Sequence, residues 1–197
     1  GGEDHRVLDR SEIALRGDHN VENVLSATAV ATRLGVPDEA IAEAVRSFTG
    51  VPHRLEPVAT VAGVSYVNDS IATTPERTLA GLRSFEEPIV LLLGGRDKHL
   101  PLRELASLAA ERCRAVITFG EASDLFAGAV RDARDGERPL VEQMNDVASA
   151  VRRASEIAEA GDVVLFAPAG TSFDAYRTFE QRGADFRSSV AELGSAG

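Results

Sequence analysis

Val64-Ser65-Tyr66-Val67-Asn68-Asp69-Ser70-Ile71-Ala72-Thr73-Thr74-Pro75-Glu76 is the stretch on which the fold turns. Val64, Tyr66 and Val67 read as a short strand. Pro75 opens a helix, where its missing N–H costs nothing. Between them lie the small polar residues Asn68, Asp69, Ser70, Thr73 and Thr74. Where a parallel strand hands over to a helix, unpaired N–H groups and a partial positive charge face outward, and α/β proteins place ligands there. Asp, Ser and Thr are also ordinary capping residues. Taken alone, the stretch leaves a capped helix start and a ligand site both open.

Downstream, strands and helices alternate. A helix over 75–85 leads to Ile89-Val90-Leu91-Leu92-Leu93, a continuous apolar run of the kind buried in parallel sheets, followed directly by Gly94-Gly95-Arg96-Asp97-Lys98. A helix over 102–111 precedes a strand over 115–119, and a helix around 124–130 precedes a charged surface loop over 132–138. Leu140-Val141 reads as a short strand, and Asn145 as the cap of a helix with Val147, Val151, Ala154 and Ile157 on one face. A buried strand over 162–166 runs into Ala167-Pro168-Ala169-Gly170-Thr171-Ser172, and a final helix carries Phe179, Phe186, Val190 and Leu193 on one stripe. Repeated βα units predict an α/β, Rossmann-like domain with a mostly parallel sheet and helices on both faces. Three strand ends carry polar chemistry: Asn68-Asp69-Ser70, Gly94-Gly95-Arg96-Asp97-Lys98 and Gly170-Thr171-Ser172. Their convergence on one crevice is the functional signal of the chain.

Upstream, 55–61 reads as a strand and Ala62-Gly63 as a turn. Residues 1–16 are charged and irregular, with weak strand signals at Val7-Leu8 and Ile13-Leu15. A helix from Asn20 has Val21, Val24, Leu25, Thr28 and Leu34 near helical spacing and Gly35 after it. A second opens at Pro37-Asp38-Glu39 and carries Ile41, Ala44, Val45 and Phe48. Thr49-Gly50-Val51-Pro52 breaks it, so the domains are drawn as 1–50 and 51–197.

The chain has 197 residues, 44% hydrophobic, with a mean hydropathy of −0.08. It is long enough for one well-buried domain and part of another. No run of eighteen apolar residues occurs and the start lacks a secretory core, so neither a membrane span nor a leader is expected. Cys113 is the only cysteine, which excludes an internal disulfide and fits a reducing cytoplasm. A net charge of −10 argues against general binding to nucleic acid or an anionic membrane. Lys98 is the only Lys among 21 basic residues. The only Met is Met144, which suggests a piece of a longer or trimmed protein.

Gly94-Gly95 allows close backbone approach, and Lys98 offers a point charge for a carboxylate or phosphate. No Walker A spacing and no G-x-S-x-G elbow occurs. Asn20 and Asn23, at i and i+3, share a helix face and suit an adenine edge, although on spacing alone Asn20 reads first as a cap. Arg54, after the Gly-Val-Pro break, suits a phosphate clamp or a plain surface position. His5, His19, His53 and His99 lack metal-ligand spacing, and Cys113 reads as packed rather than nucleophilic.

In their order and spacing, these motifs resemble the Mur ligases of peptidoglycan synthesis, and among them the D-glutamate-adding branch. The matching pieces are His19-Asn20-Val21-Glu22-Asn23, Phe48-Thr49-Gly50-Val51-Pro52-His53-Arg54-Leu55-Glu56, Asn68-Asp69-Ser70-Ile71-Ala72-Thr73 and Leu92-Leu93-Gly94-Gly95-Arg96-Asp97-Lys98. Ala167-Pro168-Ala169-Gly170-Thr171-Ser172-Phe173-Asp174 and Phe179-Glu180-Gln181-Arg182-Gly183 complete the series from about Gly17 to Gly194. An Asn-Pro-Arg signature expected of the diaminopimelate- or lysine-adding branches is absent.

The resemblance implies a cytoplasmic, monomeric, ATP-dependent and ADP-forming ligase. Its small-molecule substrates are UDP-N-acetylmuramoyl-L-alanine, D-glutamate and ATP, and an acyl phosphate is the intermediate. Residues 1–50 correspond to the last helices of the central ATP-binding domain and 51–197 to the Rossmann-like glutamate ligase domain. Asn20, Asn23, Arg54 and Asp69 match ATP-facing positions. Ser70, Thr73, Lys98, Ser172, Phe173 and Phe179 match positions around D-glutamate. The phosphate-binding loop and the Mg²⁺ ligands have no counterpart here, so no catalytic or metal-binding residue is assigned and the chain alone is expected to be inactive. Ile71 stands where some relatives have Lys. The alternatives are another Mur or folylpolyglutamate synthase-like ligase domain, or a non-catalytic nucleotide-binding module.

Overall fold

The computed structural model describes residues 6–195, apart from the side chain of His19; residues 1–5, where no leader was expected, and 196–197 lie outside the described residues. The chain forms two compact units, Gly1–Gly50 and Val51–Gly197.

The first unit contains a 3-10 turn at Arg10–Glu12, α1 (Asp18–Arg33) and α2 (Asp38–Ser47). Neither weak strand signal in this region forms a strand. Their two- and three-residue apolar runs flank the 3-10 turn, where Asp9 N donates to Glu12 Oε2 at 2.7 Å and Arg46 Nε to Glu12 Oε1 at 2.7 Å. Local side-chain bonds have replaced a ladder that had no partner. The first helix ends as expected: Gly35 (φ +79°) donates to Thr32 O and Val36 N to Ala31 O.

The second unit contains β1 (Glu56–Val61), β2 (Val64–Asn68), α3 (Pro75–Leu82), β3 (Ile89–Gly94), α4 (Arg103–Arg112), β4 (Cys113–Phe119) and α5 (Ser123–Ala133). It continues through β5 (Leu140–Met144), α6 (Val147–Ile157), β6 (Val163–Ala169) and α7 (Phe179–Ser195). The six strands lie in the order β1-β2-β6-β3-β4-β5. The β1–β2 hairpin is antiparallel and every other pairing is parallel. Along β3, Ile89, Leu91 and Leu93 pack with Leu79, Leu82, Leu105 and Phe126 of α3, α4 and α5. Val90 and Leu92 face the other way, toward Val147 and Val151 of α6 and Phe186 and Val190 of α7. A strand covered on both faces must be apolar at every position, which is why this run does not alternate. Phe166 and Phe186 stack at 4.6 Å between ring centres. The cap of α6 is Asp146, one residue later than expected: its carboxylate accepts from Ser149 N at 2.8 Å, and Ser149 Oγ closes the capping box. No described helix is long and apolar enough to cross a membrane.

Candidate functional site

Because β6 inserts between β2 and β3, the carboxyl ends of these three strands are neighbours. Asn68 pairs with Phe166, and Gly94 with Ala169. Beyond the strands, Arg96 and Thr171 exchange two backbone hydrogen bonds of 2.9 Å. The glycines are required by this proximity: a Cβ on Gly170 would lie 2.6 Å from Gly94 O, and one on Gly94 would lie 2.4 Å from Phe119 O.

Asn68 is wholly buried and organises the turn after β2. Its Oδ1 accepts from Ser70 N at 3.1 Å, and its Nδ2 donates to Glu56 Oε2 at 3.0 Å. Nδ2 also faces His53 Nδ1 at 3.1 Å; the amide is the donor, so that ring nitrogen accepts and the imidazole is neutral. Burial, and then the Arg187 charge, lower the His53 pKa. Burial opposes the charged form of Glu56, but the His53 N–H and Arg187 outweigh it and hold the carboxyl below its usual range. His53 (φ +65°) and Leu55 (φ +43°) both take left-handed backbone, which turns exposed Arg54 outward between them. Asp69, only 5% exposed, accepts from Leu55 N at 3.1 Å. Burial pushes its pKa up to about 6, against the pull of Arg54 and Arg77.

The residues matched to D-glutamate form two contacts. Ser70 Oγ donates to Phe179 O at 2.8 Å, and Lys98 Nζ to Thr73 Oγ1 at 3.2 Å. Lys98 is exposed and makes no ion pair among the described residues, so its charge is available to a ligand. Ser172 is buried, its carbonyl accepting from Ala175 N and Tyr176 N, whereas Phe173 beside it is 63% exposed. The Phe179 ring meets His53 edge-on at 6.0 Å. In the first unit, Asn20 is not a cap: the N-cap is Gly17, while Asn20 Nδ2 donates to Arg16 O at 2.7 Å and Asn20 Oδ1 accepts from Asn23 at 3.4 Å. The two amides do share a face. Cys113 is packed, its thiol pushed up to about 12 by burial. Among the described residues no three His, Cys, Asp or Glu side chains gather to hold a metal ion, so Mg²⁺ is assigned no ligand here.

Sequence reading gave Arg182 no role, although it lies in the quoted Phe-Glu-Gln-Arg-Gly motif. It is wholly buried and binds Ser70 O at 2.9 Å, Ser70 Oγ at 3.2 Å and Gly170 O at 3.0 Å. The signal available was Gly183 next to it: a Cβ there would lie 2.2 Å from His53 Nδ1, so this turn of α7 is pressed against the site.

Residues 53–170 match the family described as Mur ligase, glutamate ligase domain. The chain is 45% identical, over 98% of its length, to a UDP-N-acetylmuramoylalanine–D-glutamate ligase of Symbiobacterium thermophilum, and covers 42% of that protein. It is 41% identical, over 97% of its length, to the protein of that name from Salinibacter ruber, of which it covers 41%. Among solved structures it is similar to a UDP-N-acetylmuramate-alanine ligase of Thermotoga maritima, at a TM-score of 0.70 and 19% identity, covering 93% of this chain and 39% of that one. It is also similar to the MurF ligase of Thermotoga maritima in complex with ADP, at a TM-score of 0.58 and 19% identity, covering 86% and 38%. At such identities the structures speak for the fold alone.

Proposed function

The chain belongs to the Mur ligase family, and from that premise we propose that it is the amino-acid-receiving and ATP-facing part of an ADP-forming ligase that joins D-glutamate to UDP-N-acetylmuramoyl-L-alanine. What carries the reading is the 45% identity, over nearly the whole chain, to a ligase named for that reaction. In this reading the L-alanyl carboxylate takes the γ-phosphate of ATP, leaving ADP and an acyl phosphate. The amine of D-glutamate then attacks the acyl carbon, phosphate leaves, and the amine gives up its proton. The catalytic centre lies in the rest of the ligase.

This chain binds and orients. Lys98 anchors one carboxylate of D-glutamate, with Thr73 and Ser172 donating hydrogen bonds. Ser70, Phe173 and Phe179 line the same end of the sheet. Arg54 reaches ATP phosphates, Asp69 the ribose, and Asn20 and Asn23 the base. Ile71 supplies no cation, which leaves more of the charge pairing to Lys98. The geometry that supports this is an exposed ammonium within 3.2 Å of a threonine hydroxyl.

Kinetics of Lys98→Ala in the full-length ligase test the assignment. Losing a charge-assisted contact costs roughly 1.5–3 kcal/mol, so the KM for D-glutamate should rise about ten- to a hundredfold. The KM for ATP should stay nearly unchanged. Lys98→Arg should rescue only part of the loss, because a planar guanidinium places its charge elsewhere. Weakened ATP binding with D-glutamate unaffected would instead put Lys98 at the nucleotide.

A further inference from the structure

Arg182 is the largest side chain that is fully buried. Burying a guanidinium is costly unless it is paired and hydrogen-bonded. Its three hydrogen bonds all end on neutral oxygens: Ser70 O, Ser70 Oγ and Gly170 O. Among the described residues, no carboxylate lies within ion-pairing distance of it. Asp162, another deeply buried ionic group, has the expected partner in Arg114 at 2.6 Å. The charge of Arg182 therefore stays largely un-neutralised, at the place where the ends of β2, β6 and β3 meet. A Cβ on Gly95 would lie 2.7 Å from its Nη1, so only bare backbone separates that nitrogen from the loop after β3. Burial lowers the pKa to about 10, which still leaves the group charged at neutral pH.

We propose that Arg182 is a positioning residue for the incoming amino acid: it locks Ser70 and Gly170 at the ends of β2 and β6, and its unpaired charge draws a carboxylate-bearing ligand to the crevice they form. The proposal rests on the D-glutamate reading. The strongest opposite charge acting on it is Asp174, ahead of Tyr176; Asp174 Oδ2 accepts from Glu121 N at 3.2 Å and its buried Oδ1 makes no hydrogen bond. Asp174 thus moderates the field that Arg182 sets up.

Steady-state kinetics in the full-length ligase, with melting temperatures alongside, test this. Arg182→Met should raise the KM for D-glutamate at least about tenfold and change the KM for ATP less than about twofold. Arg182→Lys, which keeps the charge and loses the fork, should recover part of the loss. Asp174→Asn removes the opposing charge and should lower the KM for D-glutamate by about two- to fivefold. An unchanged KM for D-glutamate in Arg182→Met would overturn the proposal. So would a loss shared equally by both substrates that Lys does not relieve, which marks a purely structural strut. If Arg182→Met fails to fold, Asp174→Asn decides: an unchanged or higher KM for D-glutamate removes the electrostatic role. Wild-type enzyme that releases no phosphate in response to D-glutamate would overturn the substrate reading itself, and this proposal with it.

Discussion

Asp69 shows how far a single residue can be read in advance. Its place at a strand end was legible, because small polar residues between a strand and a proline-led helix stand out. Its burial was not, since that depends on the 53–56 loop folding back so that Leu55 N reaches the carboxylate. Arg182 was hidden for the same reason: an Arg in a helix reads as surface, and only the meeting of three strand ends takes it inside. The burial of Asp69 has a measurable consequence. Its pKa rises from 3.8 to about 6 on folding. Well below pH 3.8 the group is protonated whether the chain is folded or not, and it costs nothing. As pH rises through 3.8 toward 6 the unfolded chain gives up the proton first, so stability falls, and the full cost stands well above pH 6. A shift of this size is worth at most about 3 kcal/mol. Asp69→Asn keeps an acceptor for Leu55 N and escapes the cost. Urea unfolding at pH 4, 5.5 and 7.5 should show the variant gaining on the wild type with each step. A constant difference across the three would mean that burial does not penalise this carboxylate.

Elements were legible where one force dominated them. The apolar run of β3 admits only a buried strand, and proline and glycine mark the ends of α3 and α1. β5 read as two residues because Glu142 and Gln143 lie on an edge strand, where one side stays wet and polar residues persist. The capping residue of α6 was misplaced because Asn145 and Asp146 are equally good caps by type, and only the Ser149 hydroxyl decides between them. The first turn of α7 carries a demand that no helix pattern reveals. Alanine normally stabilises a helix interior over glycine by up to about 1 kcal/mol. At Gly183 the added methyl would sit 2.2 Å from the His53 ring and 3.0 Å from Asn68 Nδ2. Overpacking of this kind costs about 1–3 kcal/mol, so the clash wins. At Gly128 in α5 no atom lies within 4 Å of the same methyl. Gly183→Ala should therefore lower the melting temperature and Gly128→Ala should raise it. Two shifts of the same sign would show that propensity, not contact, governs both sites.

At the scale of the whole chain, alternating strands and helices were enough to indicate a mostly parallel sheet covered on both faces. They could not indicate that β6 enters between β2 and β3, because strand order follows from which edges pair after the chain has returned through α6. That insertion brings the three polar strand ends side by side, which the sequence showed only as separate ends without an arrangement. The division between the two units has a local cause. Thr49-Gly50-Val51-Pro52 holds a glycine at φ +110° and a proline, and Thr49, Val51 and Pro52 are exposed. His53, immediately after, belongs firmly to the second unit: it is 7% exposed, its N–H donates to Glu56, and its ring meets Asn68 and Phe179. Cleavage requires backbone that can leave its surroundings, which 49–52 can do and 53–56 cannot without breaking the Asn68 network. Limited digestion of the native chain with a protease of broad specificity should cut first between Phe48 and Pro52. It should leave a resistant fragment beginning at about Val51 to His53, which mass spectrometry would identify and circular dichroism would show to keep its helices and its cooperative melting. First cuts inside 53–56, or a fragment that melts without cooperativity, would show that the second unit depends on the first for its fold.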